Sequence, residues 1–431
     1  MFFSLLALLP RLLVFNIAIH RERPVYRYQD SLGYIIPAQS LAEGKGFQGG
    51  GGWPAFWWPP GYSGFLSLTF AAGIASPEHL AGALVVQDLL ASMVAGMVSL
   101  LALDLGGVPA AVLAGSLMVL EPSSISHANV ILSESVFTFL LLLAVLAWRR
   151  WWASPTILWL MAFAGLVGLL PLVRPVATYL WVPLALLLVF ARPASVARGR
   201  ALVAFVALAT LPASAWTLRN YSYLHVPIFA TVGQLNEAKF ARAVEDLAEE
   251  PRAASPVRQP WQDDFGPDQG MSFPRIVKAR EDYLRSVLLK HPVAAMERLA
   301  LTGAGILGVP DSRLPDLVLR EAPDFQGGSL WGRLKWLRQL GWLGGLLFFG
   351  MVVSTCGFLA LPVVALRARG WPPTKQALLG LIALLILYQL LISSFVMYQT
   401  DRFRVPIVPL LAVTLASTLL GAGPEKREQA S

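Results

Sequence analysis

Cysteine is almost absent from this chain, and charged residues are scarce. The one cysteine, Cys356, lies within an apolar run, which excludes an intrachain disulfide and a cysteine-rich metal site. Charged residues make up 14% of the 431 residues and hydrophobic residues 56%, and the mean hydropathy is +0.59. A Walker-type phosphate loop is also missing, because the glycine run 49–52 has no Lys-Ser/Thr after it. An ordinary soluble domain does not have this composition.

Long apolar runs are abundant instead. Several runs of about 17 to 24 residues are each long enough to cross the hydrocarbon core of a bilayer. The sequence therefore predicts an all-α polytopic membrane protein with about ten transmembrane helices. The predicted spans are 2–20, 80–103, 107–121, 131–148, 156–172, 175–191, 201–217, 341–366, 376–396 and 405–421. The stretch 60–75 is either an eleventh span or a helix lying flat in the membrane interface.

The basic residues between the spans favour the flat orientation of 60–75. With that stretch flat, one side of the membrane collects most of the loop charge: Arg149, Arg150, Arg192, Arg198, Arg200, Arg367, Arg369, Lys375, Lys426 and Arg427. This side is cytoplasmic by the positive-inside rule. The net charge of +8 thus follows membrane topology and does not indicate a nucleic-acid partner. We expect a multi-pass protein of the cytoplasmic (inner) membrane.

Three parts follow from this topology. Residues 1–217 form a transmembrane module with an outer loop at 21–79, and residues 341–431 form the last transmembrane helices and a cytoplasmic tail. Residues 218–340, here called the cap, have balanced charge and are predicted to lie on the periplasmic or exterior face. The cap is expected to contain a helix near 276–290 and an interfacial helix over 293–307.

The outer loop 21–79 carries the densest set of candidate functional residues. Asp30 follows the first span and precedes a helical pattern, a glycine run and the aromatic and proline block 53–62. A loop that only joined two helices would not need this content. Asp30 is either a cap for the helix after it or an acid held at the membrane surface for chemistry on a lipid-anchored substrate.

A second acid, Glu134, lies a few residues inside an apolar span. A carboxylate at that depth is costly and is functional by default; the alternative is that its charge stabilises the helix N-terminus. His127, in the polar segment just before, is a candidate for lining a substrate or binding a metal, although a surface position is the simpler alternative.

Arginines at the expected outer helix ends are candidates for binding a phosphate. They are Arg174, Arg219, Arg402 and Arg404. Each could instead anchor its helix at the lipid head groups. The phosphate role is favoured for Arg402 and Arg404, because both stand with Asp401 beside Pro406, which starts the next helix.

Four motifs in this order resemble those of the GT-C glycosyltransferases. The pattern D-x3-Y-x3-A-x2-L-x2-G-x-G-F at 30–47, followed by PPGY at 59–62, is similar to the first outer loop of that superfamily. ILSES at 131–135, WTLRNY at 216–221 and DRFRVPI at 401–407 are similar to later elements. The best match is to bacterial family 39-like enzymes, relatives of protein O-mannosyltransferases and lipid A aminoarabinose transferases.

This resemblance implies transfer of a sugar from a polyprenyl-phosphate donor to a hydroxyl of a lipid, glycan or protein, with inversion at the anomeric carbon. Asp30 would be the general base, with Glu134 as a second acid; alternatively, both would hold a divalent metal ion. The residues expected to bind the donor phosphate are Arg174, Arg219, Arg402, Arg404 and Lys45. Those expected to line the substrate are Tyr34, Trp57, Trp58, Tyr62 and His127.

One position departs from the family pattern. The aminoarabinose transferases have a lysine just before the paired prolines, where this chain has Trp58. Lys45 or the arginines would have to supply that phosphate contact. The alternative function is a transporter or flippase of a lipid-linked sugar, which predicts charged residues inside several spans or repeat-related broken helices. No repeat is visible, and Asp88 in the second span is the exception that favours transport.

Overall fold

The computed structural model describes residues 1–20, 27–28, 30–190, 197–249, 272–319, 330–395 and 400–421. Arg192, Lys426 and Arg427, counted above for the cytoplasmic side, lie outside these residues, as do the side chains of Arg198 and Asp401. The described residues form helices, with one isolated β-bridge between Gln48 and Pro54.

The first half of the chain contains nine helices within the described residues. They are α1 (Phe2–Ile19), α2 (Ser31–Ala42), α3 (Pro60–Ala71), α4 (Ala81–Leu120), α5 (Pro122–Ala128), α6 (Glu134–Ala153), α7 (Ile157–Val173), α8 (Trp181–Phe190) and α9 (Arg198–Leu224). The predicted spans 80–103 and 107–121 are one element, α4, broken at Gly107. The φ of Gly107 is 77°, which glycine adopts without strain, and Pro109 follows at once.

The second half of the described chain adds another nine helices. They are α10 (Thr231–Glu249), α11 (Phe273–Lys290), α12 (Pro292–Gly308), α13 (Arg313–Leu319), α14 (Leu330–Gln339), α15 (Trp342–Arg367), α16 (Pro373–Ser393), α17 (Thr400–Arg404) and α18 (Val408–Leu420). The two helices predicted in the cap are α11 and α12. Helix α9 continues past residue 217, where the sequence analysis ended the first module, to Leu224.

The protein is a multi-pass membrane protein of the predicted all-α class. Among the described residues, seven helices are long and apolar enough to cross a membrane, and three shorter apolar helices accompany them. One of the seven is the stretch Pro292–Leu319, whose first part was expected to be interfacial. In contrast, the 12 residues of α3 extend only about 18 Å, less than the roughly 30 Å of a hydrocarbon core.

The helices pack closely where glycines face a neighbouring backbone. Helix α4 packs against α1 and α18, α18 packs against α15, and α7 packs between α6 and α9. A Cβ at Gly357 would lie 2.5 Å from Leu411 O, and one at Gly61 would lie 2.7 Å from Leu172 O. Small residues are the usual means of close helix contact in membranes. Gly61 of the PPGY motif therefore allows α3 to lie directly on the end of α7.

Candidate active site

Two acidic residues from distant parts of the sequence share one arginine. Asp30 immediately precedes α2, Glu134 begins α6, and Arg402 lies in α17. Arg402 Nη1 donates a hydrogen bond of 2.5 Å to Asp30 Oδ2, and Arg402 Nε donates to Glu134 Oε1. The Glu134 side chain has no solvent exposure, whereas Asp30 keeps 26% of its side chain exposed. The acidic–arginine trio thus has a buried side at Glu134 and an accessible side at Asp30.

Neither simple helix-capping role explains these carboxylates. Asp30 occupies the N-cap position of α2, but its side chain accepts no capping hydrogen bond. Glu134 is in the first turn of α6, where negative charge is favourable, yet it forms ion pairs with the guanidinium groups of Arg174 and Arg402. A fully buried carboxylate needs such partners, because desolvation of an unpaired charge costs several kcal/mol. The two acids are therefore held by tertiary contacts.

Helix α2 is docked onto the segment that leads into α6. Ser31 Oγ donates a hydrogen bond of 2.9 Å to Ile131 O, and it accepts one of 2.7 Å from Tyr28 N. Ser31 is fully buried. These bonds tie the start of α2 to the residues just before Glu134, and this brings Asp30 within reach of the same arginine.

Arg174 is a second cation beside Glu134. Its Nη1 lies 2.6 Å from Glu134 Oε1, although the approach does not have hydrogen-bond geometry. The guanidinium lies between two aromatic rings, 5.9 Å from the centroid of Phe137 and 5.6 Å from that of Phe403. Arg174 also lines the cavity described below. Its N–H groups are thus positioned for an anion in that cavity.

The floor beside Asp30 is a stack of aromatic side chains. The rings of Tyr34 and Trp58 are stacked with centroids 5.2 Å apart, and Tyr62 meets Tyr34 edge-on at 4.9 Å. A Cβ at Gly33 would lie 2.8 Å from the Trp58 ring, so glycine there lets the indole lie flat on α2. Burial, partly opposed by Arg402, raises the pKa of Tyr34 to about 12. Tyr34 is therefore a neutral hydroxyl at pH 7.

A cavity of about 1570 Å³ lies over this floor. The membrane-side wall contains Asp30, Tyr34, Trp57, Trp58, Arg174 and Arg402. Residues of the cap, from 226–230, α10 and α11, also line the cavity. Ligand pockets commonly have volumes of about 300–1,000 Å³. This cavity therefore has room for a sugar, its phosphate and part of an acceptor at once.

Other residues singled out in the sequence lie outside the cavity wall. Tyr62 is completely buried beneath Tyr34, and its hydroxyl donates to Gln87 Oε1. His127 is also buried, and its Nδ1 is 2.9 Å from Ser123 O, so the surface position considered for it is wrong. Lys45 forms an exposed ion pair of 2.7 Å with Glu43.

Arg404 bonds to protein oxygens instead of facing the cavity. Its Nη1 donates to Val309 O at 2.7 Å, and its Nη2 donates to Ser123 Oγ at 2.8 Å. The side chain has no solvent exposure. The two arginines of the RFR motif thus have different surroundings. Arg404 attaches α17 to α12 and α5. This attachment places Arg402 between Asp30 and Glu134.

Arg219 connects α9 to the loop that carries the aromatic block. It donates to Ala55 O at 2.9 Å and to Phe47 O at 3.2 Å. Its guanidinium lies about 5 to 6 Å from four aromatic rings, those of Phe47, Phe56, Trp216 and Tyr223. A side chain with these contacts holds the loop in place and lies outside the cavity wall.

We expect Arg219→Met to loosen the residue 47–55 segment. The amides of Gly49 and Ala55 are bonded to Trp53 O and Phe47 O, and their exchange with solvent should become roughly tenfold faster, the effect of losing about one hydrogen bond. Hydrogen–deuterium exchange of this segment measures the change. Arg242→Met, which removes an exposed arginine of α10, is the matched control. Unchanged exchange in Arg219→Met would contradict the tethering role.

Several residues near the site have no motif in the sequence. Gln87 of α4 donates to Ala128 O and Val130 O and so holds the segment before Glu134. A glutamine inside an apolar span was the available signal for it. Lys239 of α10 lines the cavity. Nothing in its local sequence distinguishes it from a lysine on a solvated helix face.

The acidic–arginine trio does not fit a divalent metal. Asp30 Oδ2 and Glu134 Oε1 both accept hydrogen bonds from the same guanidinium, so an arginine occupies the space between them. Hard cations need several oxygen ligands. No group of three or more His, Cys, Asp or Glu within the described residues is arranged to hold a metal ion.

Solved structures share this arrangement of helices. The chain is similar to the Archaeoglobus fulgidus oligosaccharyltransferase in its apo form, with a TM-score of 0.52 and 11% identity over 96% of this chain and 49% of that one. It is also similar to AglB of the same organism, solved with an inhibitory peptide and a dolichol-phosphate, with a TM-score of 0.53 and 13% identity over 97% and 50%. The chain has a GT-C fold.

The chain spans about half the length of these oligosaccharyltransferases. At this level of identity the likeness concerns the fold. No protein-family model and no curated protein sequence matches the chain. The GT-C resemblance seen in the sequence motifs is therefore confirmed by the fold, and the assignment to family 39-like enzymes stays a prediction.

Proposed function

We propose that this protein is a GT-C-type glycosyltransferase that moves a sugar from a polyprenyl-phosphate donor to an acceptor hydroxyl. The observation that carries the proposal is the partly exposed Asp30 in the wall of a large cavity. Asp30 is joined through Arg402 to Glu134, which is buried behind that wall. One of the similar structures contains a dolichol-phosphate, which supports a lipid-linked donor. The acceptor is a lipid, a glycan or a peptide, and the reaction face is the outer face of the cytoplasmic membrane.

Asp30 is the general base of the proposed reaction. Its Oδ2 is engaged by Arg402, and its exposed part faces the cavity. The acceptor hydroxyl gives its proton to this carboxylate while its oxygen forms a bond to the anomeric carbon. The bond from the anomeric carbon to the phosphate oxygen breaks, and the electron pair leaves with the polyprenyl phosphate. Attack on the face opposite the phosphate inverts the anomeric centre.

The leaving phosphate is stabilised by arginine. Arg174 lines the cavity beside the trio, and its Nη1 has no hydrogen-bond partner among the described residues. Charge that develops on a phosphate is stabilised most by donors that are already in place. Glu134 acts indirectly: it is fully buried, so it holds Arg402 and Arg174 in position and does not touch the substrate.

The test is sugar transfer by the purified protein in lipid nanodiscs. Polyprenyl-phosphate donors with different radiolabelled sugars are offered with a membrane lipid and glycan extract as acceptor. Transfer of label from at least one donor is the expected result. Movement of a fluorescent lipid-linked sugar across proteoliposome membranes without any transfer would contradict the proposal and support the transporter alternative.

A further inference from the structure

The connection between helices α12 and α13 is bonded to α17, which carries Arg402, and to α5. Val309 O accepts a hydrogen bond of 2.7 Å from Arg404 Nη1 of α17. Asp311 Oδ2 accepts a hydrogen bond of 2.5 Å from Ser126 Oγ of α5. This connection is therefore held in a defined position relative to one member of the acidic–arginine trio.

The buried carboxylate of Asp311 also sets the start of α13. Its side chain has no solvent exposure. Its Oδ1 accepts hydrogen bonds from Arg313 N at 2.6 Å and from Leu314 N at 3.3 Å. A side-chain oxygen that accepts from the first N–H groups of a helix caps that helix. The first residue of α13, Arg313, is thus fixed relative to α5 and α17.

The side chain of Arg313 lies on the aromatic ring of Tyr28. Its guanidinium carbon is 3.9 Å from the centroid of that ring, a distance at which a planar guanidinium stacks on an aromatic face. Asp316 of the same helix lies 3.6 Å from Arg313 Nη1 and balances its charge. Only 22% of the Arg313 side chain is exposed, so water screens this contact little. The contact therefore joins α13 to the segment that leads into α2.

Tyr28 is joined by two hydrogen bonds to the residue that follows Asp30. Tyr28 N donates to Ser31 Oγ at 2.7 Å, and Ser31 N donates to Tyr28 O at 3.0 Å. Tyr28 also lines the cavity. Because Asp30 lies between these two bonded residues, the position of its backbone depends on where Tyr28 is held.

We infer that Arg313 is a positioning residue for the general base: it holds Tyr28, and through Tyr28 it keeps Asp30 at Arg402 and at the cavity. Among the described residues, Arg313 is outside the cavity lining, so its effect on transfer passes through Tyr28. One short stretch, 309–313, thus places both partners of the Asp30–Arg402 ion pair. This inference rests on the proposed function and deepens it, because a displacement of a reacting group by about 1 Å can cost about 10²-fold in rate.

The first experiment compares sugar transfer by the full chain in nanodiscs for wild type, Arg313→Met and Arg313→Lys. The turnover number of Arg313→Met should fall by about 3- to 30-fold, the range that loss of one partly buried cation–π contact allows, while the donor KM stays within about twofold. Arg313→Lys should recover most of the loss, because an ammonium is also attracted to the ring. Arg242→Met, which removes an exposed arginine of α10, is the matched control and should transfer at the wild-type rate.

Two outcomes of this comparison would overturn the assignment. One is a turnover number of Arg313→Met equal to that of wild type. The other is a loss that appears in the KM alone, since a positioning residue for the base affects the chemical step. Rates are expressed per folded protein, as measured by size-exclusion chromatography, so that a loss of stability is not counted as a loss of catalysis.

A double variant tests whether Arg313 acts through Tyr28. Tyr28→Leu removes the ring and leaves the charge of Arg313. The turnover number of Arg313→Met/Tyr28→Leu should be no lower than that of the slower single variant, because both substitutions remove the same contact. Losses that multiply would show that the two side chains act independently, and the proposed link would be wrong.

Hydrogen–deuterium exchange tests the contact without relying on catalysis. The amides of Ser31 and Gly33 are bonded to Tyr28 O and Asp30 O, and in Arg313→Met they should exchange about 3- to 30-fold faster than in wild type. Unchanged exchange would overturn the positioning role and leave the proposed function standing. If wild type transfers no sugar from any donor, the proposed function fails, and the exchange rates still decide whether Arg313 holds the segment around Asp30.

Discussion

Replacing Asp30 by asparagine should lower the rate of sugar transfer by about 10²- to 10⁴-fold, the usual contribution of a general base. Asparagine keeps the size of the side chain and leaves an oxygen that can accept from Arg402, but it cannot take up the acceptor proton. The turnover number should fall while the donor KM changes little, because the lost interaction exists only in the transition state. Radiolabelled transfer assays on wild type and Asp30→Asn measure both quantities.

The control for this variant is Glu43→Gln. Glu43 ends α2 in the same loop and forms an exposed ion pair with Lys45 away from the cavity. The Glu43→Gln substitution removes one negative charge from the end of the same helix and leaves the trio unchanged. Transfer at the wild-type rate by a folded Asp30→Asn protein would remove Asp30 from the mechanism and with it the strongest point of the family resemblance.

Replacing Arg402 by methionine should abolish transfer and lower the stability of the protein by about 3–5 kcal/mol, because breaking a buried ion pair from one side leaves an uncompensated charge. Glu134 is fully buried and would keep only Arg174, 2.6 Å away. Its Oε2 already has no hydrogen-bond partner within the part of the chain that the structure describes. The loss of stability should appear as a lower midpoint of thermal denaturation in detergent. Size-exclusion chromatography after heating measures it.

A double variant separates the structural role of Arg402 from its role in the site. In Arg402→Met/Glu134→Met the buried carboxylate is removed together with its partner, and apolar replacements of similar size are often neutral for stability. Part of the thermal midpoint should return, because the double variant still leaves the buried Arg174 without its ion pair to Glu134. Transfer should not return. A double variant as unstable as Arg402→Met alone would show that the stability of this region does not depend on the Arg402–Glu134 pair.

Local sequence signals were sufficient for most of the membrane helices and for one side of the site. The apolar runs predicted the membrane helices because a bilayer requires each segment to satisfy its own backbone hydrogen bonds. The short length of α3 follows from Pro60, its first residue, and from Gly73 after its end, where φ is 67°. Asp30 and Glu134 stood out because carboxylates beside apolar helices are costly, and both lie in the trio.

The arginines show where local signals end. Arg174, Arg219, Arg402 and Arg404 all stand near helix ends, and the sequence favoured Arg402 and Arg404 for the phosphate role. Arg174 and Arg402 reach the cavity, Arg219 is enclosed by aromatic rings, and Arg404 donates to backbone carbonyls and Ser123. A guanidinium binds any of these partners well. Which partner it meets depends on neighbours far away in the chain.

The sequence by itself determined the membrane class, the GT-C resemblance and the two acidic residues, because length, hydropathy and buried charge are properties of single segments. Only the tertiary structure decided which cations accompany those acids, since Asp30 and Arg402 are 372 positions apart in the chain. It alone brought Lys239 of the cap to the wall of the cavity that Asp30 also lines, although no motif marks this lysine in the sequence. The site is made by packing between the cap and the membrane helices. The identity of a side chain alone does not show which distant residues it will contact.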